Sequence, residues 1–348
     1  MNTKARTQLP PREYIPKRVF FEPAALDYPL GRRLKKKFQD MGIPVFMTTS
    51  HNRITGLPGK TPAEKYYEAK NTLVVGIRKS LDFAPCKPSA HYQLPLATSC
   101  PGMCQYCYLA TTLGPRPYVR VYVNLEEILQ KARALIAERE PELTYFEGAA
   151  TSDPLPLEYL TGSLAETISF FAGEEYGRFR FVSKFTGVES LLKLDHKNHT
   201  TIRFSINTPR IIDRLEHRTP GLPERLQAAR KVAQAGYPLG LLIAPILVSG
   251  NWEQEYSSLL EETAAVLEEF PLTFELISHR YTRRAKKQIL SIFPHTPLVM
   301  EETERKAKYG QFGYVKYLYP PDTMKALEKF FQDKIAALFP RGRIAYFV

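Results

Sequence analysis

From Pro95 onward the chain alternates short β-rich runs with amphipathic stretches of helical period, and that serial order limits the folds open to it. The candidate strands are Pro95 to Ser99, Leu143 to Ala149, Phe179 to Phe185, Thr201 to Asn207, Leu239 to Leu247 and Leu272 to Ser278. Between them lie helical patterns at Leu125 to Arg139, Glu158 to Ala172, Leu222 to Ala235 and Glu253 to Phe270, with a shorter one near Val188 to Leu194. Each return to a parallel strand needs a crossover helix, so six β/α units in series call for a parallel sheet. Six units rather than eight predict an α/β fold built on a partial (β/α)6 TIM-type barrel, open on one side. In parallel β/α architectures the chemistry sits at the C-terminal ends of the strands.

The barrel is expected over residues 91–280. Residues 1–90 read as a small N-terminal α/β cap, with strands in RVFFEP, VFMTTS and TLVVGIR and helices at Arg32 to Met41 and Pro62 to Lys70. Residues 281–348 read as a C-terminal extension. It begins with a basic helix from Tyr281 to Ser291. A β-hairpin in KYGQFGYVKYLYP, Lys308 to Pro320, follows around Gly310 and Gly313, and a last helix runs from Asp322 to Phe339.

The loop after the first candidate strand, LATSCPGMCQYCYL, holds Cys100, Cys104 and Cys107, three of the four cysteines in the chain. A [4Fe–4S] cluster is held by cysteine thiolates and normally takes four. Three closely spaced ligands leave one iron without a protein donor and open to a small molecule. A structural zinc site is the alternative, with His91, His196 or His199 as a fourth ligand, but such sites are usually closed by paired knuckles with other spacings.

Composition bounds the setting. With 348 residues, 44% hydrophobic and 24% charged, the chain can bury a large core. The N-terminal MNTKARTQLPPREYIP lacks an apolar signal core, and the longest apolar stretch, Leu239 to Val248, is too short to span a bilayer. No membrane partner is expected and the cytoplasm is the expected location. Four cysteines, three of them clustered, suit a reducing compartment. The net charge of +12 suggests an anionic partner, subject to where the charge lies.

CxxxCxxC resembles the signature of radical SAM enzymes, in which S-adenosylmethionine occupies the open iron. Further segments resemble one family within them, the spore photoproduct lyases: PAEKYYEAKNTLVVGIRKSL, KPSAHYQLPLATSCPGMCQYCYL, TTLGPRPYVRVYVNLEEIL, TSDPL, RFVSKF, RFSIN, AGYPLG with IAPI, TFELISHRYT and KYGQFGYVKY. These run from about residue 15 to the C-terminus. The resemblance implies a partial barrel, a [4Fe–4S] cluster, S-adenosyl-L-methionine, and double-stranded DNA carrying the spore photoproduct, a thymine dimer. It also implies a low-potential electron donor of flavodoxin or ferredoxin type and a location in the spore core.

By resemblance, Cys100, Cys104 and Cys107 are the cluster ligands. Ser152 and Lys184 would bind the methionyl carboxylate, and Ser205 and Asn207 the ribose, with Asp153 beside them. Read from the residues alone, Lys184 in an apolar strand needs an anionic partner, because an unpaired buried ammonium is costly; snorkelling to the strand end is the alternative. Ser205 and Asn207 lie two apart on a strand and so share a face, with plain turn chemistry as the alternative. Tyr106 and Tyr108 are either aromatic walls or redox-active phenols. The resemblance implies that they pass a hydrogen atom back toward the cofactor.

One position departs from the family pattern. In GAATSD this chain has Ala150 where many members carry the cysteine that gives a hydrogen atom to the repaired thymine radical. The only cysteine outside the cluster loop is Cys86, fourteen residues before Cys100. At roughly 3.3–3.6 Å per residue its segment can reach the barrel mouth. Cys86 is therefore the candidate thiol donor, against the alternative of an incidental buried cysteine.

Basic charge concentrates at Arg32 to Lys37, Arg280 to Lys287 and Arg305 to Lys316. The first reads as a solvated helix face. The other two flank the aromatic hairpin, and basic residues interleaved with aromatics suit a nucleic-acid surface, with Arg280, Lys308, Tyr314 and Lys316 as candidate DNA contacts. A dimer inside a duplex has to be extruded to be reached. The expected activity is reversion of the spore photoproduct to two thymines by a carbon–carbon lyase. The alternatives are a radical SAM enzyme acting on RNA or another nucleobase, and a non-catalytic, metal-bearing DNA-binding protein.

Overall fold

Eight strands form the main sheet of the computed structural model, which describes residues 14–48, 54–309 and 315–348. Their spatial order is Gly342–Phe347, Leu272–Ser278, Leu239–Ile246, Thr200–Ile206, Gly177–Ser183, Thr144–Glu147, Ala90–Gln93 and Pro85–Cys86. All neighbours pair in parallel except the last two, which form an antiparallel edge. The sheet curls into a partial barrel, as the serial β/α pattern requires. Helices Leu125–Ala137, Ser163–Ala172, Leu222–Gln234 and Trp252–Leu267 bury one face each against it. The main core lies between the sheet and these helices, where Phe146, Phe179, Phe181, Phe204 and Phe274 are buried on the helix-facing side of their strands.

Several expectations shift. Pro95 to Ser99 is not a barrel strand. The strand beside Thr144–Glu147 is Ala90–Gln93, and Pro95, which has no N–H to give a ladder, marks where the chain leaves that sheet. The short Ala97–Thr98 strand then joins a different, five-stranded sheet. No helix forms over Val188 to Leu194, which is a run of turns. The pattern Glu158 to Ala172 is split into Glu158–Thr161 and Ser163–Ala172 by Gly162, whose φ of 70° is left-handed and ends a helix readily. A seventh parallel strand, Gly342–Phe347, follows the last helix, Pro321–Leu338. It is a partly exposed edge strand, so its apolar alternation is weak.

The five-stranded sheet has the order Val45–Met47, Arg18–Phe21, Thr72–Gly76, Val119–Tyr122 and Ala97–Thr98. It draws strands from both sides of residue 90, so the N-terminal region and the start of the barrel share one sheet. Its helix Pro62–Lys70 begins with a capping box, in which Thr61 accepts from the Glu64 N–H and the Glu64 side chain accepts from the Thr61 N–H. A small C-terminal sheet pairs Tyr281–Thr282, Val315–Leu318 and Lys306–Tyr309. The expected hairpin turn at Gly310 and Gly313, with Tyr314, lies outside the described residues. No described helix is long and apolar enough to cross a membrane.

Candidate active site

The cysteine loop lies over the C-terminal end of the barrel and is fastened on two sides. On one side Ser99 bridges in parallel to Ser152, just past the Thr144–Glu147 strand. On the other, Met103–Cys104 pairs antiparallel with Glu216–His217, setting Cys104 opposite Glu216. Gln105 adds three bonds to the same segment: its N–H donates to Leu215 O at 2.8 Å, its side chain donates to Arg214 O at 3.1 Å, and that amide lies 2.8 Å from His217 Nε2. Ser99 enters the loop at a φ of 64°, unusual for a residue with a side chain, and its Oγ donates to Pro117 O at 2.8 Å.

Cys104 is buried, while Cys100 and Cys107 are half-buried. Burial pushes the Cys100 thiol up to about 11, with Lys70 opposing the rise. Among the described residues no three His, Cys, Asp or Glu side chains gather as a single metal ion would need. A cubane cluster differs in that its cysteines bind separate irons and need not converge on one point.

Residues from successive strand ends surround the loop. Lys184, directly after Gly177–Ser183, donates to Ser205 Oγ at 2.5 Å, lies 3.8 Å from Glu216 Oε1 and sits 5.8 Å from the centre of the Tyr106 ring. Glu216 is fully buried and also meets Arg225 at 2.6 Å, and it accepts from the Tyr106 hydroxyl. Burial opposes ionisation of Glu216, but Lys184 and Arg225 outweigh it and hold the carboxyl below its usual range. Burial, together with Glu216, keeps the Tyr106 phenol protonated far above its ordinary range.

The remaining sequence candidates divide into engaged and open groups. Asp153 accepts from Ser183 Oγ at 3.1 Å, Lys184 N at 3.0 Å and Leu155 N at 3.3 Å, so it ties two strand-end loops together. Asn207 donates to Pro245 O at 2.9 Å and accepts from Thr208 N at 3.0 Å. Ser152 Oγ, by contrast, is buried with no hydrogen-bond partner. A buried hydroxyl left unmade is costly, so this atom is set to meet a polar ligand group.

Tyr108 donates from its hydroxyl to the Ala150 carbonyl while most of its ring stays exposed. Burial at its hydroxyl and the neighbouring Cys107, Cys86 and Glu147 push its phenol up. Cys86 is half-buried on the edge strand Pro85–Cys86. Burial and Glu147 push its thiol up to about 11, against Arg203 and Arg180.

Below Cys86 the barrel interior holds a charged network that the sequence reading missed. Arg203 pairs with Glu147 and, at 2.7 Å, with Glu275; Arg180 also pairs with Glu275, which accepts from Tyr346 OH at 2.8 Å. Three bonds reach Ser89 in the turn after Cys86: Ser89 Oγ donates to Glu147 at 2.6 Å, Arg180 donates to Ser89 O at 2.8 Å, and Arg203 donates to Ser89 Oγ at 3.3 Å. Gly240, opposite Arg203 in register, leaves room for that side chain, since a Cβ there would fall 2.6 Å from Arg203 Cγ. Charges inside otherwise apolar parallel strands were the available signal. No pattern in the sequence singled out Glu216 or Arg225.

At the C-terminal sheet, Lys308 lies directly opposite Lys316. Tyr309 is 78% exposed at the hairpin end, and Arg280 is exposed just before the Tyr281–Thr282 strand, toward the hairpin base. Arg305 lies 3.7 Å from the centre of the Tyr319 ring and donates to His279 O at 2.8 Å, fixing the hairpin base.

A family model described as "Spore photoproduct lyase" matches residues 14–348. A curated spore photoproduct lyase from Clostridium acetobutylicum is 48% identical over 332 residues, covering 95% of this chain and 98% of its own. One from Bacillus subtilis is 45% identical over 337 residues, covering 96% and 98%. Among solved structures, a spore photoproduct lyase complexed with dinucleoside spore photoproduct superimposes with a TM-score of 0.95 at 48% identity, covering 97% of this chain and 100% of that one. A doubly substituted spore photoproduct lyase, with one cysteine changed to alanine and one serine to cysteine, matches equally well and carries bound AdoMet and the same dinucleoside.

Proposed function

We propose, from the premise that this chain belongs to the spore photoproduct lyase family, how its own residues carry out the reversal of the spore photoproduct to two thymines. The chain is an S-adenosylmethionine-dependent carbon–carbon lyase with a [4Fe–4S] cluster. Its residues fit both groups: three thiols stand in one fastened loop, and the orphaned Ser152 hydroxyl and the Lys184 ammonium face the same strand-end region. When bound, the cluster and S-adenosylmethionine supply the radical chemistry that removes hydrogen from C6 of the dimer.

Cys100, Cys104 and Cys107 hold the cluster, and the pairing of Cys104 with Glu216 keeps the loop in register. Ser152 and Lys184 bind the methionyl carboxylate, and Ser205 and Asn207 border the ribose. Asp153 holds the Ser183–Lys184 corner in place rather than giving a free carboxylate. After the bond between the thymines opens, the residual thymine radical needs one hydrogen atom. Ala150 has none to transfer, so Cys86 gives it. The raised thiol keeps that hydrogen on sulfur at neutral pH. Tyr108, within electrostatic reach of both Cys86 and the cluster loop, then gives its hydrogen atom to the thiyl sulfur and is refilled through Tyr106, and the 5′-deoxyadenosine left by cofactor cleavage would supply the hydrogen atom that closes the cycle.

The observation that carries the assignment of the thiol is that Tyr108 is bonded to the Ala150 carbonyl and has Cys86 within electrostatic reach, while the remaining cysteines belong to the cluster loop. A doubly substituted relative, which has lost one cysteine and gained another, carries bound AdoMet and the dinucleoside. The natural substrate is double-stranded DNA, gripped by the hairpin through Lys308, Lys316 and Arg280. A low-potential flavodoxin or ferredoxin supplies the electron, and the enzyme works in the spore core.

Anaerobically reconstituted protein, given dithionite, S-adenosylmethionine and dinucleoside spore photoproduct, should release the repaired thymine pair. It should hold about four irons per chain, and Cys100→Ser, Cys104→Ser or Cys107→Ser should abolish the cluster. A fully loaded enzyme that leaves the dinucleoside intact would refute the assigned reaction.

A further inference from the structure

Lys70 is fully buried at the end of the Pro62–Lys70 helix, and its ammonium reaches under the cysteine loop. It donates to the Cys100 carbonyl at 2.8 Å and to Ser99 Oγ at 3.2 Å, and it lies 5.4 Å from the centre of the Tyr66 ring. All of these partners are neutral. The other buried cations of the described residues each meet a carboxylate: Arg120 meets Glu22, Arg203 meets Glu147 and Glu275, and Arg225 meets Glu216. Lys184, at the other side of the loop, also has Glu216. Lys70 has no ion pair among the described residues.

An ammonium taken out of water without an opposite charge is expensive, and two hydrogen bonds plus an aromatic face repay only part of that. The missing charge has to come from something next to the Cys100 backbone. A cluster held by three thiolates is anionic, and it becomes more so on reduction. Net charge and nearby hydrogen bonding are what set the potentials of such clusters.

We propose that Lys70 is the built-in counter-charge of the cluster, a positioning residue that holds the Cys100 end of the loop and favours the reduced state. This rests on the cluster assignment above. It also gives the N-terminal region a task that its sequence pattern does not disclose: the five-stranded sheet and its capped helix deliver one cation beneath the cluster loop. Helix and loop are brought together by the Thr72–Gly76 strand that follows Lys70 and by Val119–Tyr122, which pairs with both Thr72–Gly76 and the Ala97–Thr98 strand leading into the loop.

The test compares the full-length protein with Lys70→Met and Lys70→Arg, each apo and after anaerobic reconstitution. Two quantities are read: the cluster midpoint potential from an EPR-monitored redox titration, and the thermal midpoint with and without cluster. Lys70→Met should shift the potential to more negative values, and Lys70→Arg should hold it near that of the parent. In the apo form Lys70→Met should melt no lower than the parent, because it removes an uncompensated charge, and it should gain less on loading. An unchanged potential in a Lys70→Met protein with full iron content overturns the proposal. If Lys70→Met does not load, its apo melting point decides: a fall shows a structural tether and overturns the proposal, whereas an equal or higher value supports it. Failure of the parent chain itself to assemble a cluster would instead refute the underlying cluster assignment.

Discussion

The hydroxyl of Tyr108 donates to the backbone carbonyl of Ala150, so the residue after the last cluster cysteine is tied to the position where this chain lacks a thiol. Tyr108 also lies within electrostatic reach of Cys107 and Cys86. One tyrosine therefore neighbours the cluster loop, the alanine and the only other cysteine. This arrangement makes the route of the hydrogen atom testable.

Cys86→Ala should still consume the dinucleoside, because initiation does not need that thiol, but the thymine radical should be trapped by other reductants as adducts. Adding Ala150→Cys to that variant should restore the clean thymine pair. Product chromatography decides the matter: adduct-free repair by Cys86→Ala would show that Cys86 is incidental.

Arg203 sits between two buried carboxylates. Arg203→Met should leave Glu147 and Glu275 short of charge and destabilise the fold by about 3–5 kcal/mol. The network also grips Ser89 beside Cys86, so at permissive temperature the variant should give more adducts per dimer consumed. Denaturant midpoints check the first effect. A loss below about 1 kcal/mol would mean that the network adds little to stability.

His279 lies buried beneath the hairpin base, and burial with Arg305 pushes it down to about 3. Its folded value is below the unfolded one, so the unfolded chain binds more protons between about pH 3 and 6.5. Its contribution is complete above pH 6.5 and is lost as the pH falls. From pH 7.5 to 5 the parent should lose about 1–2 kcal/mol more than His279→Gln, measured by urea unfolding. Parallel pH profiles for the two proteins would contradict this.

Lys308 and Lys316 lie directly opposite each other across the hairpin and set two positive charges on one face, as phosphate contacts require. Lys308→Ala should weaken binding to duplex DNA and lower the slope of log K against log salt by roughly one, and Lys316→Ala should do the same. Tyr309→Ala should weaken binding without changing the slope, since it removes a ring and no charge. A constant slope in both lysine variants would place the DNA surface elsewhere.

The order of strands and helices was legible because hydrophobic period is a local property, and the barrel core follows directly from it. The cysteine loop was legible because its three ligands are close in sequence, and Lys184 stood out as a charge in an apolar run. Other features belong to contacts between distant segments. Whether Ala97–Thr98 completes the barrel or the neighbouring sheet depends on which backbone is free to pair with it, and Pro95 only marks where the chain departs. Glu216 becomes part of the site because Arg225, Lys184 and the Cys104 strand converge on it from separate elements. Lys70 reads as an ordinary helix-end lysine until the fold buries it under Cys100. Sequence determined which residues are able to do the chemistry; tertiary structure decided which charges are left without water and so must find a partner, because desolvation exists only once the chain has closed around them.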